Sequence, residues 1–225
     1  EDLDVLQSLG IKVYRFSISW PRVLPTGTGQ SAEHGLIFYD LLVDGLIRRG
    51  IEPVVTLYHW DLPQALQDRG GWANRQIVQW FGEYARVLAR RFAGRVSMWT
   101  TINEPWVVAY LGYALGMHAP GISDTAQAAA AHHHLLLAHA AGMAAIRSAI
   151  PHAKVGIALN MSHIYPYSDR ANDRRAAALA DMQLNASFLM PLVQGRYPAE
   201  IALLQAQWQS GSGLVQSGDL AAISA

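Results

Sequence analysis

The residues best suited to acid–base chemistry surround Glu104. Asn103 and Glu104 follow the apolar, β-branched run Val96 to Ile102, and Trp106 lies two residues further on. Because Pro105 disfavours the helical region for the residue before it, the run is predicted to be a strand that ends by delivering Asn103 and Glu104 into a loop. An aromatic neighbour desolvates a carboxyl group and favours its protonated form, so such an acid can donate a proton near neutral pH. This pattern is typical of the proton donor of a glycosidase.

Alternating helical and β-branched segments must position these residues. Helical patterns are predicted over Leu3 to Leu9, Leu36 to Arg49, Ile77 to Phe92 and Thr125 to Ile150. Each is followed, after a glycine or proline, by a predicted strand: Lys12 to Ile18, Glu52 to Tyr58, Val96 to Ile102 and Lys154 to Asn160. This alternation indicates an α/β fold with a parallel sheet and crossover helices. Further helices are predicted over Asp173 to Val193 and Pro198 to Gln209, before a Gly/Ser-rich loop over Ser210 to Gly213.

The domain organisation follows from the same pattern. No linker divides the chain, so residues 1–225 are predicted to form a single domain. A parallel sheet of four strands leaves its outer strands with unpaired edges, which native proteins normally cover or close. The sequence therefore predicts an incomplete barrel of about four to five βα units.

Polar and aromatic side chains follow every predicted strand. They are Ser19 and Trp20, then His59, Trp60 and Asp61, then Asn103 and Glu104, and finally Asn160 and His163. The carboxyl ends of parallel barrel strands share one face, which is where barrel enzymes carry their active sites. An indole stacks on the apolar face of a sugar ring, while polar groups hydrogen-bond its hydroxyls. We therefore expect a small, neutral carbohydrate as the ligand.

Composition excludes several other classes of function. The 225 residues are 51% hydrophobic, and 17 Lys and Arg balance 17 Asp and Glu, so neither nucleic acid nor an anionic membrane is expected as a partner. Apolar stretches are interrupted by charges, so no membrane span is predicted. The absence of cysteine removes disulfides and thiolate metal sites; it favours the cytoplasm slightly but leaves localisation open.

No cofactor or metal is expected. The consecutive histidines His132, His133 and His134 point about 100° apart on a helix, so they cannot converge on one metal ion. The Gly27-Thr28-Gly29 run has no strand directly before it and does not match a dinucleotide-binding fingerprint.

Four ordered segments carry a family resemblance: Tyr14 to Gly29 (YRFSISWPRVLPTGTG), Val55 to Leu66 (VTLYHWDLPQAL), Thr100 to Trp106 (TTINEPW) and Gly116 to Gly121 (GMHAPG). Together they resemble family 1 of the glycoside hydrolases, the β-glucosidase family. The resemblance implies a (β/α)8 barrel and a retaining reaction. In that reaction two carboxyl groups about 5 Å apart act as acid/base and as nucleophile.

The resemblance also implies roles for individual residues. Glu104 matches the family's acid/base, and Asn103 matches the amide that holds the sugar 2-hydroxyl. His59 and Trp60 match the pair that binds the nonreducing glucose. Arg15 matches an arginine placed against the nucleophile, where its charge favours the ionised carboxylate.

Three further residues match less closely. Asn160 resembles a second amide near the same site, but a turn-capping role is an equal alternative for an asparagine after a strand. Trp106 and Leu111 fall where family members shape the aglycone entrance.

The chain also departs from the family pattern. The family's first strand would precede Glu1, and the nucleophile motif, a glutamate followed by Asn-Gly, does not occur; the only glutamate after Glu104 is Glu200. We therefore expect residues 1–225 to cover the family from its first helix to just before its sixth strand and to be inactive alone. Self-association, or pairing with a complementing C-terminal fragment, is expected. The alternatives are a 6-phospho-β-glucosidase of the same family and a noncatalytic carbohydrate-binding half-barrel.

Overall fold

The computed structural model describes residues 1–201 and 213–225. Four parallel strands form one sheet in chain order: β1 (Val13–Ser17), β2 (Glu52–Tyr58), β3 (Met98–Asn103) and β4 (Lys154–Ala158). All four predicted strands are present, with ends that differ by at most two residues. The predictions for Pro198 to Gln209 and Ser210 to Gly213 lie largely outside the described residues.

Six α-helices lie before and between the strands in the described part of the chain. They are α1 (Asp2–Ser8), α2 (Trp20–Val23), α3 (Glu33–Ile47), α4 (Gln64–Gln67), α5 (Ile77–Arg91) and α6 (Thr125–Ala149). Helices α1, α3, α5 and α6 match predicted segments, whereas the short helices α2 and α4 were not predicted. Helix α5 shows why such segments form: Ile77, Phe81, Ala85 and Leu88 recur at helical spacing, and all four are buried. The turn after α5 contains Gly94 at φ 77°, a left-handed conformation that glycine adopts without a steric penalty.

The chain divides into two compact units. Unit 1 comprises residues 1–103 and 141–158 and contains the whole sheet. Its core includes Trp20 and Tyr84, whose rings stack with centroids 4.8 Å apart. The Tyr84 hydroxyl lies within hydrogen-bonding distance of the carbonyl oxygens of Ile18 (3.1 Å) and Leu57 (2.9 Å). This buried tyrosine therefore ties together the chain segments at the carboxyl ends of β1 and β2.

Unit 2 comprises residues 104–140 and 159–225 and is helical in its described part. A wide π-helical segment, Val107–Ala114, precedes the first part of α6. A second long helix consists of α7 (Ala171–Asp181), a π-helical turn at Met182–Ala186 and α8 (Ser187–Gln194), and a short helix follows at Asp219–Ile223. The periodicity of apolar residues in the sequence does not predict either π-helical segment.

The continuous helix Ala171–Gln194 bears on the expectation of no membrane span. By length and composition it is long and apolar enough to cross a membrane, a criterion that mostly buried core helices of soluble proteins also meet; 17% of its apolar window is buried. Its first turns carry Asp173, and its second half buries Asn185 and Phe188 within unit 2.

Candidate active site

Unit 1 brings three polar side chains together near the carboxyl ends of its strands. Arg15 on β1 donates from Nε to the Thr56 hydroxyl oxygen (2.9 Å) and from Nη2 to Oδ1 of Asn103 (2.7 Å). Arg15 pairs in register with Val54, so Thr56, two residues further along β2, is its diagonal neighbour on the same face of the sheet. Thr56 is fully buried, and Asn103 is only 5% exposed. The arginine therefore links two buried residues of two other strands.

The backbone of β3 changes register just before Asn103. Thr100 pairs with Gly156 but Asn103 pairs with Ala158, so β3 contains one more residue than β4 over this interval. Such bulges re-aim side chains and occur next to active sites. The irregularity here immediately precedes the amide that Arg15 holds.

Trp60 contacts the same asparagine through its main chain. The indole Nε1 donates to the Asn103 carbonyl oxygen (3.0 Å), and the Trp60 side chain is 36% exposed. The rings of His59 and Trp60 meet edge to face with centroids 5.2 Å apart. Trp60 has φ 84°, a left-handed conformation that is strained for a bulky side chain and that clusters at functional sites. Unit 1 thus brings together four predicted site residues: Arg15, His59, Trp60 and Asn103.

The sequence patterns predict no functional role for two residues of this region, Thr56 and Asp61. Thr56 lies in the middle of a buried strand, and its only sequence signal is a hydroxyl among apolar neighbours. Asp61 is one of the polar residues that follow the second strand. Burial raises its pKa, although a hydrogen bond with Ser19 and the nearby His59 act in the opposite direction.

Glu104 begins unit 2 directly after β3. It is partly exposed and has φ 47°, so it lies outside the right-handed helical region that Pro105 disfavours, but in the left-handed region and not in an extended conformation. Its carbonyl oxygen accepts a hydrogen bond from the Val107 amide (3.0 Å), which opens the helical segment that follows. Together with Trp60, Glu104 is one of two non-glycine residues with positive φ in the described chain.

Trp106 lines a cavity of about 400 Å³ within unit 2. Its ring stacks on Tyr110 with centroids 5.4 Å apart, and its buried Nε1 has no hydrogen-bond partner among the described residues. Burial raises the pKa of Tyr110 to about 12, although a hydrogen bond with Gln183 opposes the shift. The lining residues are Trp106, Tyr110, Ala114, Leu115, Thr125, Ala128, Ala129 and Gln183.

The other two predicted site residues of unit 2 do not line this cavity. Leu111 is partly exposed on the π-helical segment, where its carbonyl oxygen accepts hydrogen bonds from the amides of Met117 and His118. Asn160 is partly exposed in the segment after β4. The structure therefore gives Trp106 a defined pocket and leaves the roles of Leu111 and Asn160 as predictions.

The three consecutive histidines are buried in unit 2. His133 lies between the Tyr197 hydroxyl and the Asp219 carboxylate, 2.8 Å from each. His132 places Nε2 3.0 Å from the Ser187 carbonyl oxygen, and burial lowers its pKa to about 3. In the part of the chain that the structure describes, no three histidine, aspartate or glutamate side chains form a cluster that could hold a metal ion.

Fold and strand-end chemistry together define a class of protein. The sheet, with crossover helices and with an arginine, an amide and an indole near its carboxyl ends, is an incomplete barrel of the (β/α)8 type. Glycosyl hydrolase family 1 matches residues 1–225, and the chain belongs to this family.

Curated relatives share nearly half of the aligned residues. The chain is 49% identical to β-glucosidase A of Thermotoga maritima over 199 residues, which are 88% of this chain and 45% of that protein. It is 47% identical to β-glucosidase A of Acetivibrio thermocellus over 198 residues, or 88% of this chain and 44% of that protein. The chain thus spans about half the length of the curated relatives it matches.

Solved structures match the chain in the same way, over almost all of this chain and about half of their own length. The β-glucosidase of Thermotoga maritima in complex with deoxynojirimycin superimposes with a TM-score of 0.94 at 44% identity, over 99% of this chain and 50% of that one. The virulence factor SghA of Agrobacterium tumefaciens superimposes with a TM-score of 0.95 at 42% identity, over 100% of this chain and 49% of that one.

Proposed function

We propose that this chain supplies the acid/base and sugar-binding part of a retaining β-glucosidase. One observation carries the proposal: Glu104, with a left-handed backbone, directly follows Asn103, whose side chain is held by Arg15 and whose carbonyl is held by Trp60. Barrel enzymes carry their catalytic residues at the carboxyl ends of strands, and glycoside hydrolysis needs a carboxylic acid there as proton donor. Relatives named β-glucosidase or glucan glucohydrolase support the same reaction.

In the proposed reaction Glu104 first acts as an acid and then as a base. It gives its proton to the glycosidic oxygen as the bond to the sugar breaks, and it later takes a proton from the attacking water. The nucleophilic carboxylate comes from outside residues 1–225, and Arg15 favours its ionised form by its positive charge.

The remaining proposed residues recognise the substrate. His59 and Trp60 bind the nonreducing glucose, with the indole providing a stacking surface, and Asn103 bonds the sugar 2-hydroxyl. Trp106 and Leu111 shape the aglycone entrance, and Asn160 supplies a second amide. The proposed substrates are cellobiose, short cello-oligosaccharides and aryl β-glucosides. The 6-phospho-β-glucosidase and noncatalytic alternatives are not favoured, because the named relatives are glucosidases.

The substitution Glu104→Gln tests this assignment. It belongs in a completed enzyme, in which residues 1–225 are joined to the C-terminal half of the Thermotoga maritima β-glucosidase. The variant loses the proton donor but keeps the nucleophile, so cleavage of an alkyl glucoside should fall by about 10²–10⁴-fold. Cleavage of a dinitrophenyl glucoside should fall less, since its leaving group needs little protonation. Added azide should accelerate turnover of the variant, because azide can attack the glycosyl-enzyme in place of water without help from a general base.

The matched control is Glu200→Gln, which changes an exposed glutamate. It should leave both substrates unaffected. Equal losses on both substrates in Glu104→Gln, without an azide effect, would reject Glu104 as the acid/base.

A further inference from the structure

The hydrogen bonds around Asn103 determine which end of its amide faces a ligand. The oxygen and nitrogen ends of an asparagine side chain are almost the same size, so their assignment depends on the neighbouring groups. Arg15 has only donors, and its Nη2 lies 2.7 Å from the Asn103 side chain. The atom that faces Arg15 must therefore be Oδ1. The NH2 group is then the end that remains for a ligand.

Arg15 can impose this orientation only if its own guanidinium is fixed. Arg15 is an exposed residue, and a long flexible side chain of this kind loses conformational entropy when it is held in one rotamer. The hydrogen bond from its Nε to the Thr56 hydroxyl (2.9 Å) fixes the plane of the guanidinium. Because Nε and Nη2 belong to one rigid planar group, an anchor at Nε also aims Nη2.

Thr56 is well placed to be this anchor. It is fully buried and lies on β2, an inner strand that pairs with β1 on one side and β3 on the other. Its neighbours in register are Ser17 and Thr100. A side chain in such a position moves little, because the backbone on both sides is held by ladder hydrogen bonds.

We propose that Thr56 is a positioning residue for recognition of the sugar 2-hydroxyl. Thr56 fixes Arg15, and Arg15 turns the Asn103 amide so that its NH2 group donates to the oxygen at C2. The carbonyl of Asn103, held by Trp60 at 3.0 Å, fixes the same residue from the main-chain side. This inference rests on the proposed function, and it assigns to that function a buried residue without a ligand contact of its own.

The consequence is a chemical preference at one position of the sugar. The amide as oriented offers a donor, so the site favours an acceptor at C2, as a hydroxyl oxygen is. A sugar without any group at C2 gains nothing from this orientation. The effect of Thr56 must therefore depend on the group at C2.

The test compares an aryl β-glucoside with the corresponding 2-deoxy-β-glucoside in the completed enzyme. Thr56→Val keeps the shape of the side chain and removes the acceptor for Arg15. We expect kcat/KM to fall about tenfold on the glucoside, because small misplacements of positioning groups are costly in the transition state. On the 2-deoxy substrate we expect a smaller loss, because only the contribution of Arg15 to the ionised nucleophile is then disturbed.

Two companion variants separate positioning from general damage. Thr56→Ser keeps the hydroxyl and should retain activity on both substrates within about twofold. In an Asn103→Ala background, Thr56→Val should have a smaller further effect on the glucoside, because the part that acts through Asn103 is already lost. If Thr56→Val does not fold, as judged by near-ultraviolet circular dichroism, Thr56→Ala replaces it with the same expected pattern.

Three outcomes would overturn the inference while leaving the proposed function intact: equal loss on both substrates, no loss on either, or a Thr56→Ser variant as impaired as Thr56→Val. A completed wild-type enzyme that cleaves neither substrate would overturn the proposed function itself. The two failures are therefore distinguishable.

Discussion

The two units use buried polar groups differently. In unit 1 the hydrogen-bonded group Arg15, Thr56, Asn103 and Trp60 lies near the strand ends, and its arginine and indole are exposed to solvent. In unit 2 the hydrogen-bonded group His133, Tyr197 and Asp219 is buried, with His133 at 0% exposure. A buried polar network rigidifies a core when it is satisfied. A network that reaches solvent can hold a side chain ready for a ligand.

Backbone strain adds to the contrast. Trp60 in unit 1 and Glu104 at the start of unit 2 have positive φ, whereas the residues of the histidine network do not. Strain costs about 1–3 kcal/mol per residue and persists where the surroundings enforce it. We therefore propose that the strand-end residues serve recognition and that the histidines serve stability, and each role can be tested separately.

The largest expected effect concerns residues 1–225 alone. The chain carries the candidate acid and the proposed sugar-binding residues, but no residue matches the nucleophile. An acid alone contributes only about 10²–10⁴-fold of a total rate acceleration above about 10⁶-fold. We expect no turnover of an aryl β-glucoside by this chain. Strands β1 and β4 each pair with one strand among the described residues, so we also expect self-association in sedimentation experiments.

Addition of a separately produced C-terminal half of a family member should restore activity and reduce self-association. The control is the same mixture with Glu104→Ala. Activity of residues 1–225 alone that disappears in Glu104→Ala would contradict the prediction. It would mean that Glu200 or an aspartate acts as nucleophile.

The next effect separates Trp60 from Trp106. In the completed enzyme, Trp60→Ala should lower kcat/KM by about tenfold to a hundredfold across substrates that share glucose, because a stacking surface for the sugar is lost. Trp106→Ala should instead change the ranking of aryl glucosides that differ only in aglycone. The measurement is a matrix of substrates that share either the sugar or the aglycone.

Trp60→Phe is the matched control, since it keeps a ring and removes the hydrogen bond to Asn103. Its loss should be smaller than that of Trp60→Ala. If both alanine variants scale every substrate by the same factor, the two residues do not serve separate subsites.

The smallest expected effect is on the acid dependence of stability, and it tests the structural role of the buried His132 in unit 2. The pKa of His132 is lowered to about 3 by burial, whereas an unfolded histidine titrates near pH 6.5. Below pH 6.5 the unfolded state therefore binds a proton that the folded state does not. The resulting stability is complete above about pH 6.5 and declines as the pH falls toward 3, by up to about 1.4 kcal/mol per pH unit.

Urea unfolding of the completed enzyme at about pH 7, 6 and 5 measures this slope. His132→Phe should reduce the dependence of the unfolding free energy on pH by the amount that corresponds to about one proton, whatever its effect on stability at neutral pH. The control His34→Gln, at an exposed position of unit 1, should keep the wild-type slope. An unchanged slope in His132→Phe would show that this histidine does not govern the acid stability of unit 2.

Much of the architecture follows from local patterns. All four strands and the helices α1, α3, α5 and α6 match the predicted segments because glycine or proline stops and apolar periodicity are local signals. Glu104 could be singled out because Pro105 constrains its backbone from the next position. The π-helical turns could not be predicted, since widening a helix by one residue per turn leaves no distinct pattern of side chains.

The amino-acid sequence by itself determines the order of strands and helices, the position of the candidate acid and the family to which the chain belongs. Only the tertiary structure decided how the polar groups pair. Arg15 meets Thr56 across 41 residues and Asn103 across 88, and His133 meets Asp219 across 86. No local pattern encodes such pairs, because they depend on strand register and helix packing that form only when the chain is folded. For that reason Thr56 became visible as a candidate positioning residue only in the folded sheet.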